Sequence, residues 1–212
     1  MYLSSFRLGD HPERLAALVK RPGRTLVIAN AVDAYADEER RRTGVEWEIS
    51  QLGALGLTAS ELDLRDHLDD PRPLSRLLAT CDLLWVRGGN TFVLLYLFAR
   101  TGLDKLVLDA LARDALVYAG YSAGVLVLQH TLKGAELVDD PEAVRRFYGA
   151  EPVWDGLGLI EYAVVPHFES RGHPETEACG RLAEHYRATG VAHRTLRDGQ
   201  AIVIDGRSTE LV

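Results

Sequence analysis

The feature that most constrains this chain is the five-residue segment Gly120-Tyr121-Ser122-Ala123-Gly124, which lies between two short apolar runs. The run at 115–119 is typical of a buried strand, and the run at 125–128 favours a helix. Gly-x-Ser-x-Gly between a strand and a helix is the pattern of a nucleophile elbow, a turn so tight that small residues must flank the serine. The segment therefore predicts a serine hydrolase or acyl-transfer enzyme whose Ser122 hydroxyl projects from the edge of a sheet.

Strand and helix patterns alternate along the chain before this segment. Apolar runs predict strands at 26–31, 57–64, 82–86 and 115–119, and helical spacing predicts helices at 37–55, 73–79, 92 onward and 103–113. After it we expect a loop-rich stretch at 133–154 with a short helix at 142–147, strands at 162–165, 191–196 and 200–204, and a helix at 175–189. The alternation predicts an α/β fold, a mostly parallel sheet with helices on both faces. No repeat or long linker divides the chain, so we expect one domain over residues 1–212.

Composition narrows the class of protein. The formal net charge of the 212 residues is −7, which argues against a nucleic-acid-binding protein. No apolar stretch approaches the roughly 20 residues that span a membrane, and residues 1–7 lack a signal-peptide pattern. Cys81 and Cys179 form no C-x-x-C pair, so a cytoplasmic protein with free thiols is expected. Metal-ligand spacings and nucleotide-binding patterns are lacking, so neither a metal nor a cofactor is expected.

Three elements fall at the carboxyl ends of predicted strands, where open α/β sheets bind their ligands. They are the segment Gly88-Gly89-Asn90, Ser122 and His167. A serine hydroxyl needs a base to remove its proton, and His167 is the favoured histidine because it directly follows a strand and Pro166. The base in turn needs an acceptor for its second nitrogen. The residues alone leave that acceptor open among six carboxylates: Asp198, Glu136, Asp139, Asp140, Glu161 and Glu169.

An oxyanion hole requires two N–H donors aimed at one point. The backbone N–H of Ala123 is the natural first donor because it follows the nucleophile. The segment Gly88-Gly89-Asn90 fits the second, since glycine allows close approach of a backbone to a substrate. The same segment is also typical of a strand-to-helix turn in which Asn90 or Thr91 caps the helix, and both roles can hold at once.

Four motifs, taken together, resemble the peptidase E family, serine dipeptidases of the class I glutamine-amidotransferase-like fold. They are Gly88-Gly89-Asn90-Thr91-Phe92, Gly120-Tyr121-Ser122-Ala123-Gly124, Gly156-Leu157-Gly158-Leu159 and Pro166-His167-Phe168, in the family's order. The resemblance implies that Ser122 is the nucleophile and His167 the base. It implies an oxyanion hole formed by Gly89 and Ala123 and no cofactor. The family's acidic triad member lies in a Pro-Glu-Gly turn, which corresponds to Arg197-Asp198-Gly199 and therefore favours Asp198.

One departure from the family bears on specificity. The best-known members cleave dipeptides with an N-terminal aspartate, which an arginine clamps after a Gly-His…Glu-Thr segment. Here the matching segment, residues 172–176, is followed by Glu177, and a carboxylate repels an aspartate side chain. We therefore expect a dipeptidase with altered or broader specificity, whose short peptide substrate contacts Asn90, Arg171 and Glu177. Arg171 and Arg87, both near motif residues, are the two candidates for a clamp on such a side chain.

Two other functions remain open from the sequence. A cyanophycinase-like hydrolase of β-aspartyl bonds shares the Gly-x-Ser-Ala-Gly elbow, although such relatives tend to be longer. A non-catalytic amidotransferase-like module that binds a small molecule or a partner is the third alternative, and an intact pair of Ser122 and His167 disfavours it. The sequence also leaves a homodimer open.

Overall fold

A seven-stranded sheet forms the centre of the computed structural model, which describes residues 1–19, 23–35 and 37–212. Its strands are β1 (Tyr2–Ser4), β2 (Arg24–Ile28), β3 (Thr58–Glu61), β4 (Leu83–Val86), β5 (Val117–Tyr121), β8 (Ala201–Asp205) and β9 (Ser208–Leu211). They are arranged in the order β3-β2-β4-β5-β1-β8-β9. The first five are parallel, and β8 and β9 are antiparallel to their neighbours. A separate parallel pair joins β6 (Ala163–Val165) to β7 (His193–Thr195).

Helices cover both faces of the large sheet, as the sequence pattern predicts. They are α1 (Pro12–Leu18), α2 (Glu38–Ala54), α3 (Arg72–Ala79), α4 (Thr91–Thr101), α5 (Leu103–Ala112), α6 (Ala123–Leu126), α7 (Glu142–Tyr148) and α8 (Thr176–Thr189). Alternate residues of β4 point to opposite faces. Leu84 and Val86 join the apolar cluster formed with α3, α4 and α5, whereas Leu83 and Trp85 join the cluster formed with α1 and α2.

Several boundaries differ from the predicted ones. The strand predicted at 57–64 ends at Glu61, because the chain turns into a 3-10 helix at Leu64–His67, where Oδ1 of Asn30 accepts the N–H of Leu64 and the Asp63 carboxylate accepts the N–H of Arg65. The strand before Ser122 runs to Tyr121, so the first two of the five residues of the predicted elbow are strand. The helix after Ser122 is one turn of four residues, which leaves little dipole to stabilise an anion. The short elements β1, α1 and β9 were not predicted.

The unpredicted strand β1 completes the edge of the sheet that carries the elbow. It pairs in parallel with β5, with Ser4 opposite Tyr121. Ser5 follows Ser4 and Ser122 follows Tyr121, so these two serines lie side by side at the ends of neighbouring strands. Such strands are usually about 4.8 Å apart. Among the described residues, no helix is both long and apolar enough to cross a membrane.

Candidate active site

Ser122 lies at the predicted elbow in a strained backbone conformation. Its φ is 48° and its ψ is −115°, a region that residues with a side chain rarely adopt. The flanking glycines are required by the neighbouring strand: a Cβ on Gly120 would lie 2.5 Å from the carbonyl oxygen of Val86, and one on Gly124 would lie closer still. The backbone of β4 thus fixes the turn from below and leaves the half-buried serine at the edge of the sheet.

The loop after β4 packs directly against the serine. A Cβ on Gly88 would lie 2.9 Å from the Cβ of Ser122, and Gly89, at φ 148°, passes so close to Ala31 that a side chain would meet its carbonyl oxygen at 2.5 Å. Within the described part of the chain the N–H of Gly89 has no acceptor. Ala123 is the first residue of α6, where an N–H has no intrahelical partner. Both N–H groups thus belong to segments that adjoin Ser122: Ala123 follows it directly, and Gly89 follows Gly88, which packs on it.

His167 and Asp198 form a close pair. Nδ1 of His167 lies 2.7 Å from Oδ1 of Asp198, and the imidazole is almost fully buried. Burial lowers the pKa of His167, and the hydrogen bond to Asp198 opposes that shift. Because Asp198 holds Nδ1, Nε2 is the nitrogen left to accept a proton, as a general base requires.

Ser5 joins this pair to the sheet. Its hydroxyl donates to Oδ1 of Asp198 at 2.9 Å and accepts the backbone N–H of His167 at 2.8 Å. Because Ser5 lies beside Ser122 in the sheet register, His167 lies at the same edge of the sheet as Ser122. Phe6 contacts both sides of this junction, edge-on to the ring of Tyr121 at 5.9 Å and to that of His167 at 5.7 Å. Sequence reasoning missed Ser5 and Phe6, since neither lies in a motif.

Two further hydroxyls hold the loop that carries the base, in which His167 itself has a positive φ of 54°. The Ser170 hydroxyl accepts the backbone N–H of Asp198 at 2.8 Å. The Thr176 hydroxyl donates to the carbonyl oxygen of His167 at 2.8 Å and accepts the N–H of Ser170. The relative position of His167 and Asp198 is therefore set by hydrogen bonds from Ser5, Ser170 and Thr176.

A second histidine and a glutamate also approach the base. The ring of His173 stacks on that of His167 at a centroid distance of 3.6 Å and an interplanar angle of 4°, and Oε2 of Glu175 lies 3.9 Å from Nε2 of His167. The potential ligand atoms of these three residues lie within 4.8 Å of one another. An imidazole binds a metal in its own ring plane, however, and two parallel planes share no such point. This arrangement therefore does not fit a metal ion.

The predicted substrate contacts lie in three different settings. Asn90 caps α4: its Oδ1 accepts the N–H of Val93, and its Nδ2 donates to the carbonyl oxygen of Asp140, so both ends of the amide are engaged within the protein. Arg171 is exposed beside the loop that carries His167. Glu177 is exposed in the first turn of α8. Of the two neighbouring glutamates, Glu175 is the one whose carboxylate approaches His167.

The other candidate acids and the second candidate clamp are engaged elsewhere. Asp139 is buried and accepts from the N–H and the hydroxyl of Thr91, and burial raises its pKa to about 7. The remaining four carboxylates also have other partners. Glu136 accepts the N–H of Gly134, Asp140 pairs with Arg146, Glu161 pairs with His130, and Glu169 pairs with Arg197. The Arg87 side chain, mostly buried, donates to the hydroxyl of Tyr121. Among the six candidate carboxylates, Asp198 is therefore the partner of His167.

Comparison with known proteins identifies the family. The model of peptidase family S51 matches residues 35–212. The chain belongs to this family. Peptidase E of Streptomyces coelicolor is 29% identical over 180 residues, and an uncharacterized peptidase of Listeria innocua, Lin0382, is 33% identical over 126. These matches cover 82% and 59% of this chain but only 65% and 57% of the relatives' own lengths.

Solved structures confirm the fold of this S51 member. A 1.5 Å crystal structure of a protein assigned as a peptidase E from Listeria monocytogenes has a TM-score of 0.79 at 24% identity, covering 100% of this chain and 96% of that one. A peptidase from an acI-B1 actinobacterium has a TM-score of 0.72 at 19% identity, covering 100% and 86%. The class I glutamine-amidotransferase-like fold and the peptidase E resemblance inferred from the motifs are both confirmed.

Proposed function

We propose that this S51 family member is a serine peptidase that hydrolyses dipeptides through an acyl-enzyme. The observation that carries the proposal is the pair formed by the buried His167 and the half-buried Asp198, joined at 2.7 Å. Ser5 bonds to both residues and lies beside Ser122 in the strand register. Burial keeps the imidazole neutral at neutral pH because it lowers the pKa of His167. A neutral imidazole is the form that can take a proton from serine.

The reaction proceeds in two halves. Ser122 Oγ attacks the scissile carbonyl carbon while its proton moves to Nε2 of His167, and Asp198 stabilises the imidazolium. The N–H groups of Ala123 and Gly89 bind the oxyanion of the tetrahedral intermediate. The C–N bond then breaks, and His167 gives its proton to the leaving amine. Water, deprotonated by His167, attacks the ester, and the second half returns the free serine.

Specificity broader than N-terminal aspartate follows from the charges around the base. The half-buried carboxylate of Glu175 lies beside Nε2 of His167, and the candidate clamp Arg87 is committed to Tyr121. An acidic substrate side chain beside Nε2 of His167 is repelled by the carboxylate of Glu175. We expect neutral dipeptides to be cleaved at least as well as those that begin with aspartate.

A panel of dipeptides tests the proposal. Asp-X, Glu-X, Met-X, Leu-X, Gly-X and Lys-X are incubated with wild type, Ser122→Ala and the control Ser75→Ala, whose hydroxyl is exposed on α3. We expect Ser122→Ala to lose about 10⁴-fold or more in kcat and Ser75→Ala to lose nothing. A fluorophosphonate should label the wild-type protein but not Ser122→Ala. Absence of both turnover and labelling would reject the peptidase and favour a binding module.

A further inference from the structure

Glu175 is a carboxylate beside the reacting nitrogen without a cation of its own. It lies at the N-cap of α8, yet its side chain makes no capping hydrogen bond. Within the described ranges, no lysine or arginine nitrogen lies within 4.0 Å of it, and its closest basic atom is Nε2 of His167 at 3.9 Å. Burial is the main influence on the pKa of Glu175 and raises it, whereas the nearby charge of His173 lowers that pKa and the charge of Asp198 raises it. A partly desolvated carboxylate in this position is stabilised by any cation that enters the crevice.

The neighbouring imidazole does not neutralise this carboxylate through a direct bond. Nδ1 of His173 accepts the backbone N–H of Glu175 at 3.2 Å, so in the neutral ring the proton is on Nε2. The rest of His173 is stacked on His167, where a second positive charge beside the imidazolium would be unfavourable. The oxygens of Glu175 therefore remain available to a ligand.

We propose that Glu175 binds the free α-ammonium group of the substrate, an assignment that rests on the proposed peptidase function. The ammonium nitrogen of a dipeptide lies about 2.5 Å from the scissile carbonyl carbon, across one Cα. That carbon must approach Ser122 Oγ, which in turn must come within about 3 Å of Nε2 to pass on its proton. A carboxylate 3.9 Å from Nε2 is therefore within reach of the ammonium by a charge-assisted hydrogen bond of about 2.8 Å.

This contact would make the enzyme act at peptide N-termini. If the scissile bond follows the second residue, the ammonium is displaced by about 3.5 Å and the hydrogen bond is lost. If the amino group is acylated, the cation is removed and the carboxylate is buried without a partner, which is costly. The substrates are therefore peptides whose first residue has a free amino group, and the contact of that group with Glu175 places the first peptide bond at Ser122.

The experiment compares leucyl-leucine, N-acetyl-leucyl-leucine and p-nitrophenyl acetate as substrates. The last has no amino group and reports the acyl chemistry of Ser122 alone. The variants are Glu175→Gln, which keeps the side-chain volume, and Glu184→Gln, an exposed control on the same helix. Glu177→Gln asks whether the carboxylate favoured by sequence acts instead. Thermal melts establish that each variant is folded.

We expect wild type to prefer the free dipeptide over the acetylated one by at least about 100-fold in kcat/KM, from the loss of a charged hydrogen bond. Glu175→Gln should lower kcat/KM for the free dipeptide by about 30-fold, mainly through KM, and should change p-nitrophenyl acetate hydrolysis far less, because that ester has no ammonium group. Glu184→Gln should change neither. An unchanged preference in Glu175→Gln, or its loss in Glu177→Gln instead, would overturn the inference and leave the peptidase intact. If wild type hydrolysed none of the three, the peptidase proposal and this inference would both fail.

Discussion

The two halves of the candidate site are held in place by different means. The nucleophile half, Ser122 with the loop at Gly88 and Gly89, is fixed by backbone packing so close that an added Cβ would clash with Val86, Ala31 or the serine itself. The base half, His167 with Asp198, is fixed by side-chain hydroxyls from Ser5, Ser170 and Thr176. Close backbone packing leaves no room for an added atom, so a single methyl group should disrupt it. A hydrogen-bonded arrangement should instead lose stability gradually, as each hydroxyl is removed.

The largest effect should come from adding one methyl group to the nucleophile half. We expect Gly124→Ala to lower the free energy of unfolding by about 3 kcal/mol or more and to abolish hydrolysis, because the new Cβ meets the carbonyl oxygen of Val86. Urea unfolding followed by circular dichroism measures the change. Gly180→Ala is the matched control, because nothing lies within 4 Å of its Cβ on α8. It should stabilise the protein by up to about 1 kcal/mol. Equal stability of the two variants would contradict the packing argument.

The next effect tests the acid of the base half. Asp198→Asn keeps the shape but presents an amide to Nδ1, so the imidazole loses its charge partner and its tautomer is no longer fixed. We expect kcat to fall by about 10⁴-fold with the fold intact. Asp198→Glu should retain more activity than Asp198→Asn, since a carboxylate remains. Asp109→Asn, in an exposed ion pair with Arg113, is the control. A loss of less than tenfold in Asp198→Asn would assign the acid to another residue.

The sequence could predict the nucleophile half because its constraints are local. Gly120 and Gly124 surround Ser122 in the chain, and the apolar runs on either side specify the strand and the turn. His167 and Asp198 were predicted less directly, from the end of a strand and from the family resemblance. Ser5 could not be predicted, because its bonds to His167 and Asp198 join residues 162 and 193 positions apart, and β1 is too short to show a periodicity.

The choice between Glu175 and Glu177 shows a second limit of sequence reasoning. Two residues separated by two positions at the start of a helix point in different directions. Which of them faces the crevice depends on where α8 begins, after Pro174 and the turn at His173. Motif spacing identified the segment at 172–177, whereas the start of α8 at Thr176 places Glu175 beside Nε2 of His167.

A smaller effect should follow from removing one hydroxyl from the base half. Ser5→Ala deletes the donor to Asp198 and the acceptor for the buried N–H of His167. We expect kcat to fall by about 10- to 100-fold and the free energy of unfolding by about 1 to 3 kcal/mol, since a buried N–H is left unpaired. Ser4→Ala, which loses only a bond to the carbonyl oxygen of Phe6, is the control. If both variants behaved alike, Ser5 would be a packing residue and not a positioning one.

The smallest effect is a change in pH dependence, and its sign distinguishes the neighbours of the base. Burial and the positive charge that His173 can carry both lower the pKa of His167, and Asp198 raises it. The base works when neutral, so kcat/KM should rise with pH through a midpoint below the ordinary histidine value of about 6.5.

His173→Phe keeps a stacked ring but removes the charge, so the midpoint should move to higher pH. Residual activity of Asp198→Asn should show a midpoint at lower pH, and His130→Gln, on the surface, should show no change. Shifts of the same sign in the first two variants would mean that the profile does not report His167.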